Sequence, residues 1–92
     1  MTQPGRRDSP AERLERLGAA IRALRERRQF TAAEVADRAG VTANLVRRME
    51  SGTANPTVRT LVRVIAGMDA SFADLAEIYD ELGAVQEPRP ES

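Results

Sequence analysis

The sequence predicts an all-α domain built from five helices. Three observations predict it. Apolar residues recur at three- and four-residue spacing in five separate stretches. Each stretch is preceded by a serine or threonine able to cap a helix: Ser9, Thr31, Thr42, Thr57 and Ser71. No run alternates apolar and polar residues, and no two-residue hairpin turn is present, so strands are not expected.

The first helix is expected over residues 10–28. Ser9 caps it, Pro10 suits its first position, and Glu12 completes a capping box. Leu14, Leu17, Ile21 and Leu24 then share one face, and the opposite face is rich in Arg and Glu. Gly18 costs such a helix about 1 kcal/mol relative to Ala, so a close helix contact is expected there. The second helix is expected over 32–39, with a Thr31–Glu34 capping box and a Phe30–Val35 staple. The third is expected over 43–50, capped by Thr42, stapled by Val41 and Val46, and followed by Gly52. Its inner face is Leu45, Val46 and Met49. Its outer face is Ala43, Asn44, Arg47, Arg48 and Ser51. After the loop SGTANPT, Thr57 caps a fourth helix over 58–67, with Gly67 at its end. Ser71 and Asp74 open a fifth over 72–82, whose stripe is Phe72, Leu75, Ile78, Tyr79 and Leu82 and whose expected stop is Gly83. The domain is thus expected over residues 9–83, between a disordered arm (1–8) and a disordered, Pro- and Glu-containing tail (84–92).

Composition narrows the function. The 92 residues form one small domain with an aliphatic core, because Phe30, Phe72 and Tyr79 are its only aromatics. There is no Cys and no His, which removes disulfides, the common zinc sites and an imidazole base. No GxxxxGK[ST] loop is present, and acidic pairs such as Glu12 with Glu15 or Asp80 with Glu81 are read as solvated helix faces. No enzymatic activity, metal or cofactor is expected. The first ten residues hold no apolar signal core, and no run is long enough to span a membrane, so a cytoplasmic location is expected. The net charge is zero but segregated. Residues 11–63 hold 11 arginines against six acids, and residues 64–92 hold one arginine against seven acids. A basic face for a polyanion and an acidic end follow from that partition.

The stretch AAEVADRAGVTANLVRRMES organises the rest. Two short helices meet at Gly40, which can take a positive φ, and Ala36 is small where the two must cross. This is the sequence form of a helix-turn-helix, whose second helix is the one that normally reads DNA.

The chain also resembles the Cro and phage-repressor-like helix-turn-helix family, often called the XRE family. The resemblance lies in LGAAIRALRERRQFT, AAEVADRAGVTANLVRRMESG and NPTVRTLVRVIAGMDASFADL, about residues 17–75. It implies a five-helix, lambda-repressor-like domain that binds operator DNA, usually as a symmetric dimer. Position by position, it implies base contacts from Ala43, Asn44 and Arg48, with Arg47 alongside. Arg suits guanine, Asn suits adenine, and Ala43 could meet a thymine methyl. Implied phosphate contacts are Thr31 and Ala32 through backbone N–H, with Thr42, Ser51, Asn55 and Arg59. Arg25 and Glu50 match a structural salt bridge between the first and third helices. Two departures stand out: Ala32 replaces the usual Gln, and Thr53 and Ala54 replace the usual Lys or Arg after the glycine. Both remove backbone anchoring. In the family Phe72 and Leu75 would pack on the fourth helix, leaving Ile78, Tyr79 and Leu82 as a dimer interface. The alternative is that they fold back on Leu14 and Leu17.

The function expected is that of a sequence-specific DNA-binding transcriptional regulator, a repressor on a palindromic operator. Small relatives of this shape serve as phage or plasmid repressors, restriction-modification controllers and antitoxins. The alternative is an antitoxin- or adaptor-type interaction module, with a partner protein on the acidic C-terminal third.

Overall fold

A computed structural model describes residues 9–86 of the chain. Its helices are α1 (Pro10–Arg27), α2 (Ala32–Ala39), α3 (Ala43–Glu50), α4 (Val58–Gly67) and α5 (Phe72–Gln86). No strand occurs among the described residues. The all-α, five-helix architecture expected from sequence is the one observed. The readings of residues 1–8 and 87–92 lie outside the described residues.

Every helix starts on a side-chain cap. Ser9, Thr31 and Ser71 form reciprocal capping boxes with Glu12, Glu34 and Asp74. Thr42 accepts from the Leu45 amide at 3.1 Å, and Thr57 from the Thr60 amide at 3.1 Å. Each cap satisfies an amide that has no partner within its helix, worth about 1 kcal/mol. The Ser71 amide, then the Ser71 hydroxyl and Arg28, hold the Asp74 carboxyl below its ordinary range.

Helix ends were less legible. α1 stops at Gln29 in the left-handed region (φ 65°) with no glycine present. The Arg25 guanidinium fixes this turn by donating to the Phe30 carbonyl at 2.9 Å. α4 also ends without its glycine in that conformation. Asp69 takes it (φ 55°), while Gly67 is the last helical residue. Arg38 clamps both, donating to the Gly67 carbonyl and the Asp69 carboxylate at 2.7 Å each. Gly83 does not stop α5, which runs on to Gln86, so the boundary expected after residue 83 is corrected. A Cβ at Gly83 would lie 2.9 Å from Arg16 Nη1, so the glycine makes room for the buried Arg16. That guanidinium also stacks 5.1 Å from the Tyr79 ring centre.

The core joins all five helices. Ile21, Val35, Val46, Val64, Met49 and Met68 are its largest fully buried side chains. Burying each aliphatic one contributes about 1.5–3 kcal/mol. α1 packs on α5 and α3, and α2 packs on α3 and α4. Arg28, just past the end of α1, pairs with Asp74 at the start of α5, and Arg16 meets Gly83 near its end, so α1 and α5 run antiparallel. Gly18 sets the approach of α1 to α3. A Cβ there would lie 2.6 Å from the Glu50 carbonyl oxygen and would also strike that of Met49. Both obstacles are backbone and cannot rotate away.

Gly18→Ala is therefore expected to destabilise the domain by about 2 kcal/mol, overpacking outweighing the gain in helix propensity. Urea and thermal denaturation measure this, and wild-type stability would contradict the contact.

Candidate nucleic-acid interface

The turn between α2 and α3 is closed by Gly40, at φ 73° and ψ 33°. The Val41 amide returns to the Ala36 carbonyl at 3.0 Å. A left-handed residue is cheap here only without a Cβ. Val46 and Met49 then bury one face of α3, and Leu45 is half-buried. The opposite face presents Asn44, Arg47, Arg48 and Ser51 to solvent. Ala43 is half-buried against the core, so only part of its methyl faces outward.

The arginines divide into two groups. Arg25 makes a two-pronged pair with Glu50, Nε to Oε2 at 2.6 Å and Nη2 to Oε1 at 3.0 Å. Their side chains are only 14% and 8% exposed, so the pair is well shielded from water. The Glu50 hydrogen bond raises the Arg25 pKa against the opposing effect of burial. Arg38 pairs with Asp69, Arg28 with Asp74, Arg27 with Glu81 and Arg22 with Glu26. Arg28 also donates to the Asp69 carbonyl, and Arg38 lies 5.0 Å over the Phe30 ring. Of these, Arg25, Arg28 and Arg38 link different helices and their turns, whereas Arg22–Glu26 is an exposed pair within α1. Among the described residues, Arg47, Arg48, Arg59 and Arg63 have no carboxylate partner, and all four lie exposed on α3 and α4. The arginines left without a carboxylate are thus Arg47 and Arg48 on the exposed face of α3, and Arg59 and Arg63 on α4, where Arg63 borders a cavity shared with Arg38.

The phosphate candidates are placed differently from one another. The Thr31 amide donates to Glu34 Oε1 at 2.8 Å, so it is committed to the cap. The amides of Ala32 and Ala33 lie in the first turn of α2 and have no acceptor within that helix. Thr42 caps α3 with its hydroxyl. Asn55 is exposed in the loop before α4, and Arg59 is exposed in that helix's first turn. Ala32 opens onto a shallow cavity of about 320 Å³, lined also by Arg22, Arg25, Arg47, Glu50 and Ser51. A Gln at 32 would fill part of that space, and here two exposed arginines border it.

Thr53, which stands where a Lys or Arg is usual, is engaged within the protein. Its amide and its hydroxyl both donate to the Arg48 carbonyl, at 2.9 and 3.3 Å. Ser51 Oγ reaches the same carbonyl at 3.1 Å and lies 3.0 Å from Thr53 Oγ1. The loop is thereby tied to the last turn of α3. Two hydroxyl residues flanking Gly52 were the available signal.

The apolar stripe of α5 is used within its own chain. Ile78 is 3% exposed, and Tyr79 and Leu82 pack half-buried against the same core. The expectation that they lack a partner in their own chain is corrected by the length of α1. Phe72, expected against α4, is instead 49% exposed. Among the described residues, the exposed large apolar side chains are Val58, Val62 and Phe72. No group of three or more acidic residues there could hold a metal ion, and no described helix is long and apolar enough to cross a membrane.

Comparison with known proteins gives two matches of consequence. A family model described as a helix-turn-helix domain matches residues 16–79. The crystal structure of the clp gene regulator ClgR from Corynebacterium glutamicum is similar to this chain, with a TM-score of 0.74 and 28% identity. That match covers 80% of this chain and 79% of the other. No curated protein sequence matches.

Glu50→Ala leaves Arg25 without its carboxylate, with only the Phe30 carbonyl to hold it, at the junction of α1, α2 and α3. It should cost about 2–3 kcal/mol, below the full cost of breaking a wholly buried pair because some water reaches the site. Arg22→Ala removes an exposed pair and should cost less than about 0.5 kcal/mol. Equal effects in chemical denaturation would rule out the difference in burial as the deciding factor.

Proposed function

The chain belongs to the helix-turn-helix domain family, and on that premise we propose that it is a non-enzymatic DNA-binding transcription regulator, a repressor that docks on a palindromic operator as a homodimer. The observation that carries the reading is the placement of the unpaired arginines. Carboxylates pair with Arg22, Arg25, Arg27, Arg28 and Arg38, whereas Arg47 and Arg48 on the outward face of α3, and Arg59 and Arg63 on α4, are exposed with no carboxylate partner among the described residues. A duplex phosphate backbone is the polyanion that such a face suits. The resemblance to a gene regulator of similar length supports the same reading.

In this reading α3 lies in the major groove. Asn44 and Arg48, one turn apart on its exposed face, offer bidentate contacts to adenine and guanine. Ala43 approaches a thymine methyl, and Arg47 reaches base or backbone. The Ala32 amide, Thr42, Ser51, Asn55 and Arg59 hold the phosphates. Thr31 contributes through its cap, which orients the first turn of α2. No cofactor is required, and the site of action is the cytoplasm, where the DNA is.

Three exposed apolar side chains support the dimer, at 73% for Val58, 45% for Val62 and 49% for Phe72. With Ile78 buried in its own chain, these exposed side chains are the surface we propose for the dimer in place of Ile78, Tyr79 and Leu82. A symmetric dimer on a palindromic operator needs its two α3 helices about 34 Å apart, one DNA turn. Val62→Asp with Phe72→Asp is expected to yield folded monomers in sedimentation with weakened operator binding, and an unchanged mass would remove this surface from the interface.

The direct test is selection of genomic fragments by the purified chain at two salt concentrations. Recurrent palindromic sites with half-sites one helical turn apart are expected. Arg48→Ala should then cost about 1–3 kcal/mol on the selected site and little on random DNA. Recovery of nothing at low salt would overturn the reading and direct attention to protein partners of the acidic α5 region.

A further inference from the structure

We infer that Thr53 is a positioning residue for base recognition: it holds the Arg48 guanidinium in the orientation in which Arg48 reads one guanine. The inference rests on the DNA-binding reading above and assigns a role within that interface to a residue outside the recognition helix.

The geometry is a closed loop of contacts. Arg48 lies in the last turn of α3, and its carbonyl is the point on which the following loop is gathered. That carbonyl takes the amides of Thr53 and Ala54, at 2.9 and 3.2 Å. It also takes the hydroxyls of Ser51 and Thr53, at 3.1 and 3.3 Å. The two hydroxyls lie 3.0 Å apart. The loop so fixed returns its own acceptor to the same residue, for Arg48 Nη2 donates to the Thr53 carbonyl at 3.3 Å. Backbone and side chain of Arg48 are therefore held by one residue five positions later.

A free arginine on a helix surface samples many rotamers, and most must be given up when it grips a base. Fixing one end of the guanidinium beforehand reduces that loss on binding. It also selects a plane, which matters because a bidentate contact to guanine O6 and N7 needs the guanidinium coplanar with the base. A single N–H is used by Thr53, so other donors remain for the base. Arg47 is held differently. It borders the cavity between α1 and α2 and no hydrogen bond fixes its guanidinium, which suits the less demanding geometry of a phosphate.

The experiment uses the full chain and a duplex selected by it from a random pool, with each base pair replaced in turn. Fluorescence anisotropy gives the affinity for each duplex. The base pair whose replacement no longer matters to Arg48→Ala is the one that Arg48 reads. At that pair, Thr53→Val is expected to lower discrimination about 5–10-fold, a part of what a bidentate contact supplies, while affinity for the replaced duplex stays the same. Thr53→Ser, which keeps the hydroxyl, should retain discrimination. Ser51→Ala, which removes the neighbouring hydroxyl, should lower it in part. In an Arg48→Ala background Thr53→Val should change nothing further. Unaltered discrimination, or an equal loss on every duplex, would overturn the inference while leaving the DNA-binding reading intact. Failure of the wild-type chain to select any duplex would overturn both.

Discussion

The close approach of α1 to the end of α3 is the constraint on which the other contacts depend. Gly18 lets the carbonyls of Met49 and Glu50 sit against the α1 backbone, where any side chain would hold the helices apart. At that separation Arg25 reaches Glu50 with two hydrogen bonds and still donates to the Phe30 carbonyl before α2. One guanidinium thus links the end of α3 to the start of α2. The angle at which α3 is presented follows from this link and from the Gly40 turn, more than from any propensity of an eight-residue helix.

Charge in this chain does two separate jobs. The formal sum is zero, and a reading from the sum alone would say little about partners. The fold divides it. Three acids of the C-terminal third meet arginines of α1, α2 and the turn after α1: Asp74 with Arg28, Asp69 with Arg38, Glu81 with Arg27. Part of the segregated charge is thus taken up in contacts within the fold. The arginines of α3 and α4 are left over, and Arg47 and Arg48 give the exposed face of α3 its positive sign. Arg47 and Arg48 are adjacent in sequence yet face different surroundings. A helix turns about 100° per residue, so one borders the cavity under α2 and the other meets the loop after α3.

The protein also shows how glycines with the same sequence signature serve different ends. Gly40 supplies a left-handed residue. Gly18 and Gly83 lie inside helices and make room for something from elsewhere, a pair of carbonyls in one case and the Arg16 guanidinium in the other. Helix ends, in turn, need no glycine when an arginine is placed to hold the turn, as Gln29 and Asp69 demonstrate.

By itself the sequence determined the local features: five helices, their capped starts, the apolar face of each, and the helix-turn-helix at Gly40. These depend on neighbours within four residues, where capping chemistry and a 3.6-residue period act directly. The candidate site was legible to the same depth, because Asn44, Arg47 and Arg48 share the outward face of α3 through periodicity alone. Only the tertiary structure decided which charges were neutralised, that α5 continued through Gly83, that Ile78 was buried against its own chain while Phe72 stayed exposed, and that Thr53 gripped Arg48. Each of those depends on a partner distant in sequence or on a turn with two hydroxyls, and spacing along the chain does not encode the distance between groups that folding brings together.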